Sequence, residues 1–160
     1  MAFPLSFILR NIMKVNELRQ LYDIDDSQWL EETVKLIKNH QLQELDLENL
    51  VEELEDLGRE KKNAVASLLE QIIRHLLLLQ YWTSESEYNS IHWPEEIYNF
   101  RTQLKRRLTT SLRNYLDSEL NFIYKDALGF VKIKTQNTVD FPLECPYSLE
   151  QLLDIDWLSK

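Results

Sequence analysis

The residues of this chain best suited to chemistry are His75, Asn49 and Glu53. An imidazole binds a metal or moves a proton near neutral pH, and a carboxylate is its common partner. Asn49 and Glu53 are four residues apart, so on a helix they share one edge. His75 lies three residues after Ile72 and four before Leu79, which sets it within an apolar helical face. Two readings of His75 stand. It is a buried, hydrogen-bonded core residue, or it is a metal ligand or general base served by a carboxylate from another helix, for example Asp117, Glu119 or Asp126. A helix running from 53 to 75 separates Glu53 from His75 by roughly 33 Å, so they share a site only if the helix breaks at Gly58.

Three further groups carry chemistry of a different kind. The acidic run from Glu44 to Glu60 is either a solvated helix face or a docking surface for a basic partner, with a divalent-metal site as a third reading. Trp82, Trp93, Tyr81 and Tyr88 lie close together in sequence, as core packing or as an exposed aromatic partner site. Lys105, Arg106, Arg107 and Arg113 form the one basic cluster, which is a small footprint for nucleic acid. Cys145 is the single cysteine, between Glu144 and Pro146, and is expected to be a structural thiol.

Several activities lack their residues. Only Gly58 and Gly129 are present, so no glycine-rich phosphate cradle can form. There is no Gly-x-Ser-x-Gly elbow and no His-Glu-x-x-His. No Glu stands three residues before any of the three histidines, which removes the di-iron bundle pattern. One cysteine permits neither an intrachain disulfide nor a thiolate zinc site, and a reducing cytoplasm is the expected setting.

The elements that must position these groups are helical. With 160 residues, 44% apolar, 2 glycines and 4 prolines, the composition suits one helical domain with short loops. The net charge of −9 is uneven: residues 1–60 hold 6 Lys/Arg against 14 Asp/Glu, a balance of −8. Such a chain repels phosphate backbones on the whole. Asp25 followed by Gln28 fits a capping box opening a first helix, with Trp29, Leu30, Thr33, Leu36 and Ile37 inward and Asn39 and His40 at its end. Asp46 caps a long second helix over about 46–81, whose stripe runs from Leu47, Leu50, Val51, Leu54 and Leu57 to Ile72, Leu76 and Leu79. The stripe keeps its phase across Gly58, so one helix is expected; its acidic half is to be covered by the first helix and its apolar half by later ones. Pro94 fits the first turn of a third helix after a polar loop at 83–92. A fourth helix is expected over about 111–132, and Ser148 with Gln151 opens a short C-terminal one. Phe141, Tyr147, Trp157 and Leu158 are expected to pin the tail (134–160) onto the bundle. Residues 1–20 are a candidate flexible extension, with Met13 as an alternative start. The N-terminal run MAFPLSFILRNIM lacks the marks of a signal peptide, and no apolar run reaches the ~20 residues of a membrane span.

With the helices placed, the chain resembles a bacterial family known as domain of unknown function 29. The matching pieces are LYDIDDSQW (21–29), LDLENLVEELEDLG (45–58), RHLLLLQYW (74–82), IHWPEEI (91–97), SLRNYL (111–116) and FPLECPYSLEQLLD (141–154). The family has Lys then Trp where this chain has Leu78 and Leu79, and often Pro where it has Thr110. The resemblance implies a helical architecture and brings no activity, ligand or catalytic residue.

The expected protein is therefore all-α: a bundle of four main helices, the second long, with a short C-terminal helix. No cofactor is expected. The expected function is a non-catalytic protein-interaction or regulatory module, working through the acidic half of the long helix or the aromatic loop. An enzyme centred on His75 and nucleic-acid binding through Lys105, Arg106, Arg107 and Arg113 are the alternatives. A homodimer stays open, because so long a helix can leave apolar surface uncovered.

Overall fold

A computed structural model describes residues 4–86 and 88–158 of the chain. Among the described residues every regular element is helical: α1 (Leu5–Ile24), α2 (Asp26–Lys38), a 3-10 turn (Leu42–Glu44), α3 (Leu47–Tyr81), α4 (Thr83–Ser86), α5 (His92–Arg107), α6 (Thr110–Lys134) and α7 (Leu149–Leu153). Two compact units divide the chain at Gly58.

The first unit, residues 4–58, is led by a helix that the sequence left as a candidate extension. Residues 1–3 of that extension lie outside the described residues. Helix α1 packs on α2 across a single connecting residue, Asp25. Asp25 serves both ends. Its carboxylate accepts the Gln28 N–H at 2.9 Å, and its own N–H donates to the Leu21 carbonyl of α1. That second bond replaces the reciprocal arm of the expected capping box. Leu18, Trp29 and Thr33 are buried between the two helices, and Tyr22 meets Trp29 edge-on at 5.0 Å. Helix α2 ends in a Schellman turn: Gln41 N–H reaches the Leu36 carbonyl and His40 N–H the Ile37 carbonyl. His40, not Asn39, takes the left-handed conformation there, at φ 58°.

The second unit, residues 59–158, holds the large core. Helix α3 supplies Val65, Leu69, Ile72, Ile73, Leu76, Leu77 and Leu78; α5 adds Trp93, Ile97 and Leu104; α6 adds Leu116, Ile123, Tyr124, Ala127, Leu128 and Val131. The tail closes it with Phe141, Tyr147, Leu149 and Leu152. Leu158, expected among the tail anchors, is exposed. Thr109 caps α6 by accepting the Leu112 N–H, so the helix opens at Thr110. Ser148 and Gln151 form the expected capping box of α7. The polar stretch at 83–92 contains the short α4, and Glu87 within it lies outside the described residues.

Helix α3 passes Gly58 without a break, and a Cβ at Gly58 would meet nothing within 4 Å. Its first part differs from expectation in one respect: α1 and α2 leave most of its apolar stripe open, with Leu50 alone half-buried. Leu47, Val51, Leu54 and Leu57 are 59%, 52%, 60% and 48% exposed.

Candidate docking surface

Polar side chains fix the start of α3 to α1. Asp46 is fully buried and accepts from Arg19 Nε at 3.2 Å and from Asn49 Nδ2 at 2.6 Å. Arg19 also reaches Glu48 at 3.0 Å. Lys14 binds both oxygens of the buried Glu44, at 2.9 and 3.0 Å. The Tyr22 hydroxyl donates to Glu53 at 2.7 Å, and this bond to a carboxylate holds the phenol up at about 12. Asn49 and Glu53 thus lie on the edge of α3 that faces α1, as two members of a polar latch.

The latch determines what α3 leaves open. At 100° per residue, Leu47, Val51, Leu54 and Leu57 cover about 120° of the helix, beside the latch edge. Glu52 and Glu55, both exposed, lie along the other side of the stripe, with Glu48, already paired with Arg19, at its start. Residues 47–57 contain five acidic residues and no Lys or Arg, a balance of −5. An apolar strip with one acidic border is a surface on which a basic amphipathic segment can bury area and pair its charges.

His75 has a different setting, in the second unit. Its Nδ1 donates to the Gln71 carbonyl at 2.7 Å, and its ring tilts against Phe100 at 5.4 Å. Burial holds its pKa below the usual histidine value, partly offset by the Gln71 hydrogen bond and Glu96. Glu53 and His75 therefore have separate partners in separate units. Among the described residues, no group of three or more His, Cys, Asp and Glu is placed to hold a metal ion.

The aromatic loop is packed inward. Trp82 and Trp93 stack at 6.2 Å with Trp93 buried, and Tyr81 meets Phe141 edge-on at 5.9 Å. Tyr88 alone of that group is exposed. Lys105, Arg106 and Arg107 close the last turn of α5, where cations suit the helix dipole, and Arg113 pairs with Glu150 at 2.9 Å. The Cys145 thiol donates to the Tyr147 carbonyl at 3.4 Å, and burial raises its pKa, which suppresses the thiolate.

Two features escaped the sequence reading. Arg101 is buried and donates from Nε to the Leu152 carbonyl at 2.8 Å and from Nη2 to the Gln151 carbonyl at 2.9 Å, with Nη1 on the Trp157 carbonyl. It is the polar pin of the C-terminal tail, and its acceptors are main-chain atoms that leave no mark in the sequence. The second is a groove of about 640 Å³ along α1, bordered by Phe7, Ile8, Ile12, Val15, Arg19 and Gln43. The apolar residues of α1 were visible, but they fall on several sides of the helix and form no single stripe.

The family described as "Domain of unknown function DUF29" matches residues 21–158, and the chain belongs to it. No curated protein and no solved structure matches the chain. No helix of the described residues is long and apolar enough to cross a membrane.

Proposed function

We propose that this member of the DUF29 family is a protein-interaction module without a reaction of its own, and that it docks a basic amphipathic segment on the first part of α3. The observation that carries this reading is the run Leu47, Val51, Leu54 and Leu57, exposed together on one face beside Glu48, Glu52 and Glu55. Apolar burial supplies the affinity of such a surface, and the acidic ridge supplies its preference for basic partners. Trp93 is buried with the half-buried Trp82 stacked on it, so the aromatic loop offers less open surface than the α3 stripe.

A synthetic amphipathic peptide of Leu and Lys tests the reading. It should bind the full-length protein, weaken with added salt, and lose about tenfold or more in affinity to Val51→Glu. A peptide in which every Lys is replaced by Glu should bind at least an order of magnitude less well. Equal binding of the two peptides would refute the docking assignment.

A further inference from the structure

A cavity of about 350 Å³ lies in the second unit, between α5 and the chain that follows α7. Arg101, Lys105 and Leu108 form one wall, because spacings of four and three residues put them on one face of α5 and its end. Asp154 and Asp156 stand on the other wall. Their backbone is fixed locally: Asp154 follows the last turn of α7, and its Oδ1 accepts the Asp156 N–H at 3.0 Å. The cavity therefore has a cationic side and an anionic side. Among the described residues no ion pair joins the two sides, and Lys105, Asp154 and Asp156 pair with nothing else. Arg101 is only 2% exposed. Each of its guanidinium nitrogens binds one carbonyl, which leaves one N–H on Nη1 and one on Nη2 without an acceptor. Burial lowers the Arg101 pKa and Asp154 opposes the shift, so the carboxylate acts on the guanidinium across a gap and not by contact. A buried, charged donor with unused N–H groups is costly unless an acceptor reaches it.

We infer that this cavity binds a free α-amino acid with an apolar side chain. An anion alone would meet Asp154 and Asp156, and a cation alone would meet Arg101 and Lys105. A ligand that carries both charges on neighbouring atoms satisfies both walls at once. Its carboxylate accepts from Lys105 and from the unused N–H groups of Arg101. Its ammonium donates to Asp154 and Asp156. Charged hydrogen bonds of this kind are about 2.8 Å long, so the ligand fills the gap that keeps the two walls from pairing directly. Leu108, Leu153 and Ile155 border the same cavity, all half-buried, and give an aliphatic side chain its contact. The volume is at the low end of the roughly 300–1,000 Å³ of small-molecule sites, which suits a ligand of this size better than a nucleotide. The site belongs to the second unit and is independent of the α3 docking surface in the first.

Amide NMR titration of the full-length protein with L-leucine tests this, since it reads affinity and place together. L-leucine should bind with a Kd of about 1 mM or lower and shift amides within 101–108 and 151–157. L-leucine amide lacks the carboxylate and N-acetyl-L-leucine lacks the ammonium, and each should bind about tenfold less well. L-glutamate and L-lysine carry a charged side chain to the apolar contact and should also bind less well. Two variants at exposed positions then assign the charges to their walls. Lys105→Gln should weaken L-leucine by about threefold or more and reduce its advantage over the amide, while its advantage over the N-acetyl compound stays. Asp156→Asn should do the reverse. Circular dichroism checks that both variants keep their helix, and the comparison of ligands on the wild type stands without them. Several results would overturn the inference: no binding of L-leucine at ~10 mM, equal binding of L-leucine and its two analogues, or tighter binding of L-glutamate or L-lysine. Shifts confined to residues outside the two segments, or variants that leave both preferences unchanged, would do so as well.

Discussion

His75 is the residue whose type most invites a catalytic reading, and its surroundings favour the neutral, hydrogen-bonded form. Nδ1 is occupied by the Gln71 carbonyl and one face by Phe100. Burial is the largest influence on its titration and lowers the pKa; Gln71 and Glu96 oppose the shift, while Lys134 and His92 add to it. The consequence for stability has a definite sign. The unfolded chain takes up the imidazole proton near 6.5 and the folded chain only at lower pH, so protonation favours unfolding. The stabilising contribution is complete above the unfolded value and is lost as pH falls through the folded one. Thermal melts of the wild type should therefore drop more between pH 7 and pH 5 than those of His75→Gln, which has no imidazole to protonate. Identical pH profiles would mean that His75 is hydrated in the folded state. Arg101 makes the complementary point about buried charge. Its three carbonyl partners lie fifty or more positions along the chain. Sequence pattern places an arginine on a solvated face by default, and only the folded tail reveals the acceptors.

At the scale of elements, what was legible is what local chemistry decides. Ser148 and Gln151 cap α7 because their spacing satisfies two N–H groups at once, whatever else the chain does. The stripe from Val65 to Leu78 is core because its period fits a helix and it is apolar enough to be buried. Period alone does not say whether a neighbour exists, and so the same stripe at Leu47 to Leu57 was assigned a cover it lacks. Helix α1 was missed for the opposite reason. Its apolar residues surround the helix, and Pro4 at its start offers no capping side chain. Gly58 tests the continuity of α3 directly. It sits in helical conformation with open space where a Cβ would project. Gly58→Ala should therefore stabilise the protein by up to about 1 kcal/mol through helix propensity alone, read as a higher denaturant midpoint at unchanged slope. A destabilised variant would mean that the chain uses a bend at this position.

At the scale of the whole molecule, the two units are held together internally by different forces, and this sets where the chain opens first. The first unit buries few apolar side chains, chiefly Leu18, Trp29 and Leu45, and relies on the latch of Lys14 with Glu44, Arg19 with Asp46 and Tyr22 with Glu53. In the two ion pairs the cation is half-exposed and the carboxylate buried, so each attraction largely offsets the cost of burying its carboxylate, and the half-exposed cations leave the pairs open to screening by salt. The second unit buries a continuous core from Val65 to Leu152, where each large side chain is worth about 1.5–3 kcal/mol of transfer energy. Local opening follows this difference in burial. Hydrogen exchange on the full-length protein should show peptides from 5–38 exchanging well before those from 65–79. Added salt should speed the first group and leave the second unchanged. The docking surface lies in the less stable unit, so its occupation should be visible in the same experiment. The Leu/Lys peptide should slow exchange at 47–57 directly and not through α1. Protection that appeared only in α5 and α6 would place the interaction surface on the other unit and overturn the assignment to α3.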